Sequence, residues 1–333
     1  MATLSSSNLT YADWAKRKDP DGKTAQIVEV LSQVNEVLDD AVVVEANSET
    51  GHKTTIRTGL PSPSWRLLNG GVGNGKSTTA QVIDSLGMLE IYSEVDKSLA
   101  DLNGDVASFR WSEDKAFIEG MSQTMAQTVF YGNINSNPAS FHGLSARYAA
   151  ISGATYANSM VDAGGTGSDN TSIWLIGWGD QTCHMIFPKG QKAGLQHNDK
   201  GQVTLRGPDD TAGNPSQLEG YRTHYKWDAG LTVRDWRYIV RICNIDVSDL
   251  SGGSPANLIN AMIRATHRVP ALRGAKFAFY CNRTVATWLD IQATNKTNVL
   301  LGINEFDGRQ VTTFRKIPIR CVDQLLSTEA RVV

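Results

Sequence analysis

Along residues 112–133 apolar side chains return every third or fourth position, at Phe117, Met121, Met125 and Val129, with Ile118 and Phe130 widening the stripe. That spacing predicts a helix with one buried face. Ser112 is its expected cap, Glu113 and Asp114 suit the positive helix end, and Gly132-Asn133 supply the stop. At roughly 1.5 Å per residue such a helix is about 28 Å long, enough to brace a domain. A second amphipathic helix is expected over residues 24–40, from Ile27, Leu31, Val34 and Leu38, leading into a short strand at 41–44.

The pattern then breaks. From residue 46 to about 80 the chain reads ANSETGHKTTIRTGLPSPSWRLLNGGVGNGKSTTA, too poor in apolar residues to make a core of its own. Residues 52–58 alternate as a strand does, and a second strand is expected over 77–83. A two-stranded excursion of this kind is marginal by itself in water. It needs a surface to lie on, one that another molecule can supply.

Farther on, turn signals at 138–147 and a glycine-rich loop at 153–170 precede strand-like runs at 171–177, 182–187, 221–233 and 235–243. In the last, Trp236, Tyr238, Val240 and Ile242 alternate with Arg237 and Arg241, the signature of a half-buried strand. Residues 189–220 read as a polar connection. Ser254-Pro255 opens an expected helix whose buried face is Leu258, Ile259, Met262 and Ile263. Residues 276–281 form a strand running into Asn282, a cap for a helix carrying Val285, Trp288 and Leu289. Strands at 310–314 and 317–322 end the chain, and the whole is read as α+β.

Composition narrows the function without naming it. The 333 residues carry a net charge of −2 and 41% hydrophobic side chains, so there is no basic excess for gripping nucleic acid. The apolar runs are far shorter than a membrane span and the start MATLSSSNLT is not a signal peptide, so a cytoplasmic setting is expected. Cys183, Cys243, Cys281 and Cys321 form no CxxC pair, and the six histidines show no metal-ligand spacing. Reduced, buried thiols are expected, with no metal and no cofactor. Cys183 beside His184 suggests a thiol and its base, but neighbours on a strand point to opposite faces.

One segment does look like chemistry. Gly70 to Ser77, GGVGNGKS, matches the phosphate-binding pattern GxxxxGK[ST], in which loop N–H groups cradle phosphates and the lysine neutralises charge. A P-loop ATPase is therefore the rival reading. Its context is poor: Pro61 and Pro63 precede the loop where a central strand should be, and Thr78-Thr79 favour a strand where a helix should begin.

Longer stretches carry a more specific signal. WRLLNGG, KSTTAQVIDSLGMLE, YSEVDKSLADLN, EDKAFIEGMSQTMAQTVFYGN, FHGLSARY, SIWLIGWG, IFPKGQKAGLQ and YRTHYKWDAGLTVRDWRYIVRI together resemble major capsid proteins of tailed, in particular short-tailed, bacteriophages. The resemblance implies the tailed-phage major capsid fold. Its parts map onto an N-terminal arm at 1–45 and an extended β-hairpin loop at 46–81. A peripheral domain is implied at 82–135 and 185–250, with its spine helix at 112–133. An axial domain is implied at 136–184 and 251–310, and strands at 311–333 return to the peripheral domain.

The implied function is assembly, not catalysis. Many copies would form pentamers and hexamers, and these an icosahedral shell around double-stranded DNA held without sequence specificity. Portal, scaffolding and decoration proteins are implied partners, no membrane is, and the virion is implied to assemble in the host bacterial cytoplasm. Lys53, Arg57, Trp65 and Arg66 are the expected subunit contacts, Trp65 as an anchor and the cations against carboxylates.

Overall fold

The computed structural model describes residue 9 and residues 32–102, 104–207, 216–252, 255–294, 301–306 and 309–333. Helix α1 (Val37–Asp40) leads through β1 (Val43–Glu45) to a hairpin of β2 (Gly51–Gly59) and β3 (Thr78–Asp96). Helices α2 (Lys97–Asp101), α3 (Val106–Tyr131) and α4 (Leu144–Arg147) come after it. Next come β4 (Met160–Asp162), β5 (Asn170–Trp178), β6 (Cys183–Phe187), β7 (Gln196–Arg206), β8 (Gln217–Val233) and β9 (Ile239–Asp246). The remaining elements are α5 (Leu258–Arg268), β10 (Lys276–Cys281), α6 (Arg283–Thr294), β11 (Leu301–Phe306), β12 (Arg309–Phe314) and β13 (Ile317–Cys321).

The strands join in the order β11-β12-β13-β10-β5-β6-β8-β3-β2, with β1 on β6, β7 on β8, and β9 on β4 and β5. Where the sheet is covered on both sides, as at β5 and β9, its strands are buried at every position and mostly apolar. Trp174, Ile176 and Trp178 of β5 face Met125, Val129 and Phe130 of α3, while Ile173 and Leu175 face the other way. On that opposite side they meet Leu258 and Met262 of α5 and Val285 and Leu289 of α6. Helix α3 thus covers one face of the middle strands and the α5–α6 pair the other.

The long helix starts earlier than its pattern suggests. Asp105, not Ser112, is the cap, accepting the Ser108 N–H at 3.0 Å, and Ser112 lies within the helix. Phe109 extends the buried face backward by packing with Val95, Leu99 and Ala100. The helix expected over 24–40 is helical only at Val37–Asp40 among the described residues, and 24–31 lie outside them. There the far end of the chain competes for the backbone. Val34 donates to Asp323 and Asp323 to Val34, each at 3.0 Å, and Cys321 donates to the Glu36 carboxylate at 2.9 Å.

Three further expectations change. Residues 236–238 form a 3₁₀ turn, and β9 beyond it is buried on both faces, so Arg241 sits in the interior and not on a solvent face. The polar connection at 189–220 contains β7 and the start of β8, and the glycine-rich loop at 153–170 contains β4. Helix α5 begins at Leu258 with Asn257 as cap (3.1 Å to the Asn260 N–H), and Ser254 lies outside the described residues. Asn282 caps α6 as expected, accepting the Val285 N–H at 2.8 Å.

Candidate assembly interface

Strand β3 belongs to two structures at once. Its first half pairs antiparallel with β2, from Thr78 opposite Gly59 to Ser85 opposite Gly51. Its second half pairs with β8, from Leu86 opposite Gly230 to Asp96 opposite Gly220. The strand expected to stop near residue 83 therefore runs on to Asp96 and roots the hairpin in the main sheet.

The root is buried and polar. Asp84 lies 2.8 Å from the Arg147 guanidinium, which also donates to the Leu231 carbonyl at 3.0 Å. His52, opposite Asp84 in the ladder, meets His184 edge-on with ring centroids 5.8 Å apart. Burial first, then a neighbouring positive charge (Arg234 for His52, the His52 ring for His184), pushes both imidazoles below the usual histidine value. Gly51 is required by close approach, since a Cβ there would stand 2.7 Å from the Asp84 carbonyl oxygen.

Past Thr54 the hairpin leaves the body. Residues 60–77 carry no helix or strand, and Leu60, Trp65, Leu67 and Leu68 are almost wholly exposed. A turn from the Leu67 carbonyl to the Gly70 N–H (3.0 Å), with Asn69 at φ 66°, shapes the tip. Burying four large apolar side chains would contribute on the order of 1.5–3 kcal/mol each. Nothing among the described residues of the subunit covers them.

The expected contact residues all lie on this limb. Lys53 and Arg57 occupy the same face of β2, both exposed, and the backbone of Lys53 is clamped by the Asn47 side chain at 2.7 and 2.8 Å. Trp65 and Arg66 lie in the loop, Arg66 reaching the Gly70 carbonyl at 3.3 Å. Sequence reasoning passed over Leu60, Leu67 and Leu68, whose signal was apolar side chains inside a segment too polar to bury them.

The phosphate-binding pattern has no frame around it. Gly70 to Ser77 lies in the exposed loop, and Lys76-Ser77 leads into β3, where a cradle for phosphate needs a helix N-terminus. The thiols are equally quiet: all four cysteines are free, and burial raises Cys183 to about 12 and Cys243 to about 11. Among the described residues, no three His, Cys, Asp or Glu side chains are grouped to hold a metal, and no helix is long and apolar enough to cross a membrane.

The family model described as "Major capsid protein GP7" matches residues 19–333. The chain belongs to the major capsid protein GP7 family. A near-atomic-resolution structure of bacteriophage epsilon15 is 36% identical, with a TM-score of 0.78, covering 100% of this chain and 99% of that one. The bacteriophage JBD30 capsid gives 9% identity and a TM-score of 0.49, covering 95% of this chain and 99% of that one. Mycobacterium phage Adephagia gives 10% and 0.41, covering 71% and 97%. No curated protein matches the chain.

This major capsid protein has the mixed α+β fold of phage capsids and associates with its own copies in the shell of the virion. Its family is structural and carries no enzymatic activity. The ATPase reading is set aside: the GKS stretch lies in an exposed loop and leads into a strand, and the family is one of capsid proteins.

Proposed function

We propose that the major capsid protein assembles by lending its hairpin to a neighbouring copy. The observation that carries this reading is the row of Leu60, Trp65, Leu67 and Leu68, left in water at the end of a rooted hairpin. Lys53 and Arg57 meet carboxylates of the neighbour, Trp65 anchors, and Arg66 flanks it. Copies gather as pentamers and hexamers, and these close into an icosahedral shell. Each contact is weak, and strength accumulates because every subunit is held by several at once.

The division into arm (1–45), hairpin loop (46–81), peripheral domain (82–135 and 185–250), axial domain (136–184 and 251–310) and returning strands (311–333) is part of the proposal. The helix α3 packed on one side, and the α5–α6 pair on the other, support two functionally distinct layers. Double-stranded DNA lies against the inner surface without sequence specificity. A portal, a scaffolding protein and a decoration protein complete the particle, which forms in the host cytoplasm. Deleting residues 54–76 tests the central claim. Electron microscopy should find soluble subunits and no shells, and normal particles from that deletion would overturn it.

A further inference from the structure

The limb and the body carry opposite charge. Residues 50–83 include Lys53, Arg57, Arg66 and Lys76 and no aspartate or glutamate. The chain's net charge is −2, so the limb's +4 leaves −6 for the remainder. Much of that lies immediately after the limb, where residues 84–119 hold nine acidic residues against three basic ones.

Part of this negative charge is matched within the subunit. Asp84 pairs with Arg147, Glu90 with His224 and Lys226, and Glu94 with Arg222. The corner where α2 meets α3 is different. Asp96, Asp101 and Asp105 are exposed there, and among the described residues their ion pair is the one from Lys97 to Asp101 at 2.6 Å. Leu102 stands on that corner, 43% exposed, and Trp111, 55% exposed, lies farther along the first turns of α3.

Resting on the clasp reading, we propose that this corner receives the hairpin tip of a second copy. Arg57 and Arg66 face Asp101 and Asp105, and Trp65 covers Leu102 and Trp111. Two different patches on one chain make a head-to-tail contact, the kind that closes into rings. Like charges keep tip from tip and corner from corner, which fixes the direction of the ring. DNA is the other polyanion at hand, but phosphates would satisfy the cations and leave the three apolar groups in water.

A charge swap in the full-length chain tests this, read by shell yield in electron microscopy and sedimentation. Arg57→Glu/Arg66→Glu, and separately Asp101→Lys/Asp105→Lys, should each cut shell yield by about tenfold or more, and the fourfold swap should restore it. Asp105→Ala reports loss of the α3 cap alone, and thermal melting checks that each subunit is folded. If both halves fail and the swap restores nothing, the corner is the wrong recipient while the clasp stands. If the deletion of 54–76 still gives shells, the clasp itself is wrong. Should Arg57→Glu/Arg66→Glu form normal shells that lose their DNA, the limb binds nucleic acid and the proposal is overturned. A second route needs no swap: Arg66→Cys/Leu102→Cys, oxidised with diamide, should give covalent oligomers, and monomers alone would sink the assignment.

Discussion

Arg241 and Glu329 form an ion pair at 2.8 Å in the interior of the subunit, each with about 5% of its side chain exposed. The guanidinium also donates to Ser172 Oγ at 3.1 Å and to the Tyr148 carbonyl at 2.8 Å, and it lies 5.0 Å from the Trp174 ring. Glu329 in turn accepts from the Tyr131 hydroxyl at 2.5 Å and from Ser172. The pair ties the segment after β13 to the end of α3 and to the middle of the sheet. Removing one partner leaves the other charged and dry. Glu329→Ala should therefore lower subunit stability by about 3–5 kcal/mol, measured by urea unfolding of the unassembled subunit. A loss under about 1 kcal/mol would mean that the pair is not buried in solution.

The hairpin root makes stability depend on pH. His52 and His184 titrate below 6.5 when folded and near 6.5 when unfolded, so the unfolded chain takes up protons first. Stability from this site is complete above pH 6.5 and declines as the pH falls through that value. The double variant His52→Gln/His184→Asn should flatten the decline between about pH 7 and 5 in urea midpoints. An unchanged slope would contradict the assignment.

Trp65 should matter to the shell and not to the subunit. Trp65→Ala removes a side chain that stands free of the described residues of its own fold, so the melting temperature of the subunit should stay within about 1 °C. As an interface anchor its loss costs about 2 kcal/mol or more per contact, and shell yield should collapse. A variant that assembles as well as the parent would remove Trp65 from the interface.

Lys76→Ala separates the loop from the chemistry that its letters suggest. Shells should form nearly as in the parent, and equilibrium dialysis should detect no ATP on either protein.

Asn282→Ala removes the α6 cap on the Val285 N–H together with the bonds to the Thr171 and Ser327 hydroxyls, and should cost about 1 kcal/mol or more, read from the urea midpoint of the subunit.

Periodicity made α3 and α6 legible because their apolar positions recur at helical spacing, and β10 was legible as a short apolar run running into the cap Asn282. It failed where both faces are buried: Arg241 alternates with Tyr238, Val240 and Ile242 as a solvent-facing residue would, yet its charge is met by Glu329, far away in sequence. It failed again at β7, whose polar residues QHNDKGQVTLR form an edge strand on β8 with no apolar rhythm to announce it. The start of the chain misled for a third reason, since Val34 and Glu36 take their hydrogen bonds from the segment around Asp323 and not from a helix. Of the proposed interface, the limb was visible as a change of composition, and Lys53, Arg57, Trp65 and Arg66 all lie on it. Its exposed leucines needed coordinates, because only a fold tells which apolar side chains go uncovered.

Because β3 is one uninterrupted strand from limb to sheet, a pull on the tip arrives along its axis. The hydrogen bonds to β8 run across that axis and stand between Leu86 and Asp96. Tension therefore loads them together in shear, instead of peeling them one by one as it would at a hinge. If the limb clasps a neighbouring copy as proposed, that tie is anchored where giving way demands that many bonds fail at once.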